Sequence, residues 1–144
     1  MIEYHAILKT QGKNTLKQII LNADDFGRHT LINRAVERGV ADGILRSATL
    51  MPGGAAFDDA AELAARSPEL GVGIHLTLVN GNPVLPPAEI PSLVTEAGVF
   101  VDDHTAFAVR LLRGAVSLDE VRAELTAQLR RVEAAGIHPT HADS

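Results

Sequence analysis

The chain has 144 residues, a formal net charge of −5 at pH 7, 46% apolar, 22% charged and 3% aromatic residues. That balance suits one globular domain with a sizeable core and argues against disorder. Negative charge and scarce aromatics argue against nucleic-acid binding, and the absence of cysteine excludes disulfides, zinc–thiolate sites and thiol nucleophiles.

Residues 1–17 are mixed polar, with turn signals at Gln11-Gly12 and Lys13-Asn14, and read as an irregular lead-in. They lack the apolar centre of a signal peptide, and no later stretch approaches the roughly 18 apolar residues of a membrane span. A cytoplasmic protein with no membrane partner is therefore expected. Residues 18–22 form a short apolar run, the pattern of a strand buried on both faces. It leads straight into Asp24-Asp25-Phe26-Gly27, two adjacent carboxylates followed by a turn.

Helical spacing follows over residues 30–41, where Leu31, Ala35, Val36 and Val40 share a face, Thr30 is placed to cap the start and Gly43 punctuates the end. Residues 47–51 read as a second strand, closed by Pro52-Gly53-Gly54. Residues 57–66 read as an Ala-rich helix with Asp58 and Asp59 suited to its first turn. A third strand over residues 71–78 holds His75. Strand, helix, strand, helix, strand at this rhythm predicts parallel βαβ units with right-handed crossovers.

Residues 80–91 contain four prolines and break that rhythm, so they predict a stiff loop positioned to wall a site beyond His75. After a short extended piece at residues 98–101, helical pattern returns over 105–112 and more strongly over 118–135. There Val121, Leu125, Leu129 and Val132 form a stripe, Ser117 caps, Glu120 sits three residues on and Gly136 stops the helix. Arg110, Arg113, Arg122, Arg130 and Arg131 are interleaved with acids and read as a solvated face. Residues 139–142 are expected to begin a fourth strand.

Asp24-Asp25, His75 and His141-Ala142-Asp143 thus fall near the carboxyl ends of three predicted parallel strands, where sites of α/β folds gather. Adjacent acids at a buried strand end are costly unless a cation or a catalytic task offsets the cost. Carboxylate oxygen with imidazole nitrogen suits zinc, manganese, cobalt or nickel better than calcium. Plainer readings stand beside this one: an Asx turn at Asp25, a helix cap at Asp24, a hydrogen-bonded core histidine at His75. His5, His29, His104 and His138 lie in lead-in, loop or helix-end contexts. Of these, His29 is nearest to the Asp pair.

Three segments together, Asn22-Ala23-Asp24-Asp25-Phe26-Gly27, Gly73-Ile74-His75-Leu76-Thr77-Leu78 and Pro139-Thr140-His141-Ala142-Asp143-Ser144, resemble the signatures of the YdjC-like carbohydrate deacetylases. The resemblance spans roughly residues 16–144. It implies an α/β fold with a parallel-stranded β/α-barrel-like sheet, and a hydrolase that removes an N-acetyl group from an amino sugar or oligosaccharide. It also implies a divalent metal cofactor, magnesium or zinc, with Asp25 and His75 as ligands, Asp24 as general base, and His141 and Asp143 as supporting residues. In that family a histidine-rich continuation follows the Asp-Ser pair and completes the ligand set, so residues 18–144 are expected to be the N-terminal portion of a deacetylase-like domain, about half a barrel.

A cut sheet leaves an open edge and an uncovered apolar face, so a homo-oligomer is expected. The rival reading is a non-catalytic, self-associating fragment. Phosphoryl transfer through an aspartyl nucleophile is the weakest reading, since no Gly-rich phosphate cradle follows the first strand.

Overall fold

A computed structural model describes residues 19–144; the expected lead-in over residues 1–17 lies outside them. The elements run β1 (Asn22–Phe26), α1 (Thr30–Ala41), β2 (Ser47–Leu50), α2 (Phe57–Arg66), β3 (Gly71–His75), α3 (His104–Leu112), α4 (Leu118–Ala134) and β4 (Ala142–Asp143). The four strands form one sheet in the order β1-β2-β3-β4, every neighbouring pair parallel. This is the expected β/α architecture, a portion of a barrel-like sheet with all strands pointing their carboxyl ends the same way.

The first strand lies four residues later than its apolar run suggests. Ile19 and Ile20 are exposed, and the regular strand begins at Asn22 and carries both aspartates within it. The residue pairing explains how. Asn22 and Ala23 pair with Ser47 and Ala48, but Phe26 pairs with Leu50, so Asp24 and Asp25 together face Thr49. One extra residue in β1 makes a bulge, and Asp25 sits there with φ at 59°. Adjacent residues of a regular strand point to opposite faces; a bulge breaks that alternation and re-aims side chains.

Helices α1 and α2 occupy the predicted residues, yet α1 starts and packs differently. Its cap is His29, not Thr30, with the imidazole Nδ1 accepting from the Leu31 N–H at 3.1 Å. Its buried residues are Asn33, Val36 and Val40, while Leu31 and Ala35 face outward. Asn33 is usable in the core because its amide is fully engaged. It accepts from the Gly27 N–H and donates to the Ala56 carbonyl and Asp59, which ties α1 to the turn after β1 and to α2. The central core is apolar and mostly aliphatic, built around Phe26, Val36, Leu50, Leu63, Ile74 and Val132.

Helix α4 also turns an unexpected face inward. Glu124, Gln128 and Val132 are buried, whereas Leu129 of the predicted stripe is 39% exposed. The two polar residues are buried because they serve a loop. Glu124 accepts from the Val84 and Leu85 N–H groups at 2.8 and 3.0 Å, and Gln128 accepts from the Thr77 N–H and donates to its carbonyl. The proline-rich segment after β3 is thereby pinned, and Ile90, Leu93, Phe100 and Val116 form a separate small core beneath it. Strand β3 ends at His75, so residues 76–78 belong to this pinned connection. Two of the arginines read as solvated are in fact engaged. Arg131 lies over the Phe57 ring and Arg110 donates to the Ser92 carbonyl.

Asp103 caps α3, and the backbone N–H groups of Ala106 and Thr105 hold its carboxyl below the ordinary value. A depressed acid adds stability at pH above its unfolded value and loses that contribution as pH falls through its folded value. An Asp103→Asn variant should therefore fall short of the parent in α3 amide protection near pH 6, and the gap should close only well below about pH 4, once pH has fallen through the lowered folded value. Hydrogen exchange at the two pH values checks this; an equal gap at both would refute it.

Candidate active site

The carboxyl ends of the strands meet in one network of side chains. His75, the last residue of β3, directs Nε2 toward Asp25 Oδ1 at 3.7 Å and Nδ1 toward Asp143 Oδ1 at 2.9 Å. A carboxylate only accepts, so the imidazole donates through Nδ1–H to Asp143, while Nε2 faces the second carboxylate, Asp25, across 3.7 Å, beyond hydrogen-bond reach. Asp143 comes from β4, whose pairing with β3 sets Asp143 beside His75. The His75 side chain is 13% exposed, so little water competes for its hydrogen bond to Asp143.

Asp24 is part of the same network. Its Oδ1 accepts from Asn22 Nδ2 at 2.7 Å and faces the Thr49 hydroxyl at 3.5 Å. The bulge is what lets Asp24 and Asp25 serve one site from consecutive positions. Asp25 Oδ2 is held from the outer side by Arg28 at 3.1 Å, and the same guanidinium reaches Asn80 Oδ1 at 3.2 Å. Asp25 and Asn80 are also the two non-glycine residues with positive φ among the described residues. Such backbone costs about 1 kcal/mol or more and persists where surroundings over-determine it.

The loops beyond the strands close around this network. A Cβ added at Gly54 would collide with the Gly27 carbonyl, and one at Gly53 with the Asn82 carbonyl, so both positions demand glycine for close backbone approach. The loop after β3 thus packs against the end of β2, as its predicted role as a wall requires.

His141 is placed differently from Asp143. Its ring lies over Gly73, where an added Cβ would come within 2.6 Å of Nε2, and it contacts Ser47, Asn22 and Thr140. It is linked to His75 through Asn22 and then Asp143. His29 is committed to its helix cap. Among the described residues, no group of three or more histidine or acidic side chains is arranged to hold a metal ion. What the network offers a cation is a two-donor set, Asp25 Oδ1 and His75 Nε2. Each such donor sits about 2.0–2.2 Å from a zinc ion, so a separation of 3.7 Å can be spanned by one ion. The Asp143 bond to the far ring nitrogen is the carboxylate–histidine support common to metal-ligating imidazoles.

Sequence reasoning passed over Asn22, Arg28, Ser47 and Thr49 as site residues. The polar residues Asn22, Ser47 and Thr49 in strands otherwise lined by Ala and Leu were the available signal.

Compared with known families, residues 18–144 match the YdjC-like protein family. The chain belongs to the YdjC-like family. It is 43% identical over 125 residues to a carbohydrate deacetylase of Geobacillus stearothermophilus, covering 87% of this chain and 47% of that one. It is 41% identical over 129 residues to a carbohydrate deacetylase of Brevibacillus brevis, covering 88% and 48%. A crystal structure from Enterococcus faecalis, described provisionally as a cellobiose-phosphate cleavage protein, superposes with a TM-score of 0.73 at 36% identity over 85% of this chain and 46% of that one. The chain spans about half the length of the curated relatives it matches. No helix among the described residues is long and apolar enough to cross a membrane.

Proposed function

We propose that the protein carrying this YdjC-like chain is a metal-dependent carbohydrate deacetylase that hydrolyses the N-acetyl group of an amino sugar or its oligosaccharide. The observation that carries the reading is the approach of Asp25 Oδ1 to His75 Nε2, with the opposite ring nitrogen clamped by Asp143. The names of the relatives supply the substrate class.

Asp25 and His75 would hold the divalent ion, zinc or magnesium, and the imidazole favours zinc. When bound, such an ion polarises a carbonyl and makes water more acidic. This chain's residues do the remaining work. Asp143 keeps His75 in the tautomer whose Nε2 can ligate. Arg28 secures one oxygen of Asp25 and leaves the other turned to His75. Asp24, held by Asn22, accepts the proton of the attacking water as the new C–O bond forms at the acetyl carbon. The C–N bond then breaks, the amine leaves with the proton that Asp24 took from the water, and the acetic acid formed gives its proton to solvent and departs as acetate.

The test is acetate release from N-acetylglucosamine oligomers. Activity should vanish after chelation and return on adding zinc or magnesium. Full turnover by thoroughly chelated protein, or no acetate under any metal, overturns the reading.

A further inference from the structure

Asn22 is 8% exposed, and its amide lies within reach of five polar side chains. Its Nδ2 lies 2.7 Å from Asp24 Oδ1, 3.3 Å from Asp143 Oδ2 and 3.4 Å from Thr49 Oγ1. Its Oδ1 accepts from the Ser47 hydroxyl at 2.6 Å and faces His141 Nε2 at 3.2 Å. The chemistry fixes which way the amide points. Two carboxylates can only accept, so the NH2 end must face them; a flipped amide would set its oxygen against both. The Ser47 hydroxyl donates to the opposite end and holds that orientation. An amide has two N–H bonds, and here two carboxylates from opposite edges of the sheet stand within reach of them.

The geometry points to Asn22 as the positioning residue of this site: one buried amide bridges Asp24 on β1 and Asp143 on β4, and so sets the base and the His75 imidazole relative to each other. This rests on the hydrolase reading above. Asp143 has two oxygens, one taken by His75 Nδ1 and the other facing Asn22, so the carboxylate cannot rotate without losing one of them. Orientation of the ring therefore passes from Asn22 through Asp143 to His75 Nε2. A purely structural asparagine would tie down backbone; this one spends its donors on the site's acids.

The test uses the imidazole signals of nitrogen-15-labelled protein and zinc titration by calorimetry. In the unsubstituted protein, His75 should show a protonated Nδ1, and both Asn22 side-chain amide protons should exchange slowly; rapid exchange of both overturns the proposal without any variant. Asn22→Ala and the similar-sized, uncharged Asn22→Leu, checked for folding by circular dichroism, should lower zinc affinity about 10- to 100-fold, the usual cost of losing an outer partner. Both should also broaden or shift the His75 tautomer signals. Folded variants that keep parental zinc affinity and His75 signals overturn the positioning role. The hydrolase reading fails separately, if Asp25→Asn leaves zinc affinity untouched.

Discussion

Asp24→Asn and Asp25→Asn, adjacent and chemically identical substitutions, should fail in different ways. Asp25→Asn exchanges an anionic oxygen donor for a neutral amide, so zinc affinity should drop by about 100-fold or more and turnover with it. Asp24→Asn leaves Asp25 and His75 in place, so zinc affinity should change only a few-fold. Its kcat should fall about 10²- to 10⁴-fold, the range for removing a general base. Asparagine is the right replacement at both positions. Asp25 has φ at 59°, a conformation Asn tolerates and Ala does not, so loss of metal cannot be blamed on backbone strain. Calorimetric zinc titration with acetate-release kinetics separates the outcomes. Equal loss of zinc in both variants, or full turnover by Asp24→Asn, would contradict the division of labour.

The second large effect is expected far from the chemistry, at Glu124. This side chain is fully buried and accepts from the Val84 and Leu85 N–H groups and from Gln128 Nε2. Glu124→Ala leaves three donors without their acceptor, at about 1–3 kcal/mol for a buried one and less where water can enter. A net loss of about 2–4 kcal/mol follows, or a Tm lower by roughly 10 °C. Glu124→Gln should lose less, because its amide oxygen still accepts while its NH2 group meets another donor. Because Glu124 holds the loop beyond His75, Glu124→Ala should also raise KM more than it lowers kcat. Thermal and urea melts with steady-state kinetics check both. A Tm within about 1 °C of the parent would show that the anchor contributes nothing.

Much of this was readable from residues alone, and the misses share a cause. The helices over residues 30–41 and 57–66 were legible because apolar spacing, Gly43 and first-turn acids agree with one another. The parallel strand order followed from the strand–helix rhythm. The first strand was misplaced because Ile19 and Ile20 look like core, while the true strand carries Asn22 and two aspartates. The inward face of α4 was misread for the same reason: Glu124 and Gln128 are buried to serve a loop, which hydrophobic periodicity cannot express. Asp25, His75 and Asp143 were legible as a cluster because strand ends gather in this architecture. Asn22 was not, since its importance lies in bridging two strands rather than in its own motif. The bulge at Asp24-Asp25 leaves no local signal either, because it arises from pairing with β2.

The bond between His75 and Asp143 joins positions 68 residues apart, and that between Asn22 and Asp143 joins positions 121 apart. On the ribosome, the first three strands emerge long before β4 does. Until Asp143 arrives, His75 Nδ1 lacks its acceptor and Asn22 has only one of its two acids. The nascent β1-β2-β3 sheet can thus assemble before the His75–Asp143 bond exists, and that bond waits on the long-range docking of a two-residue strand.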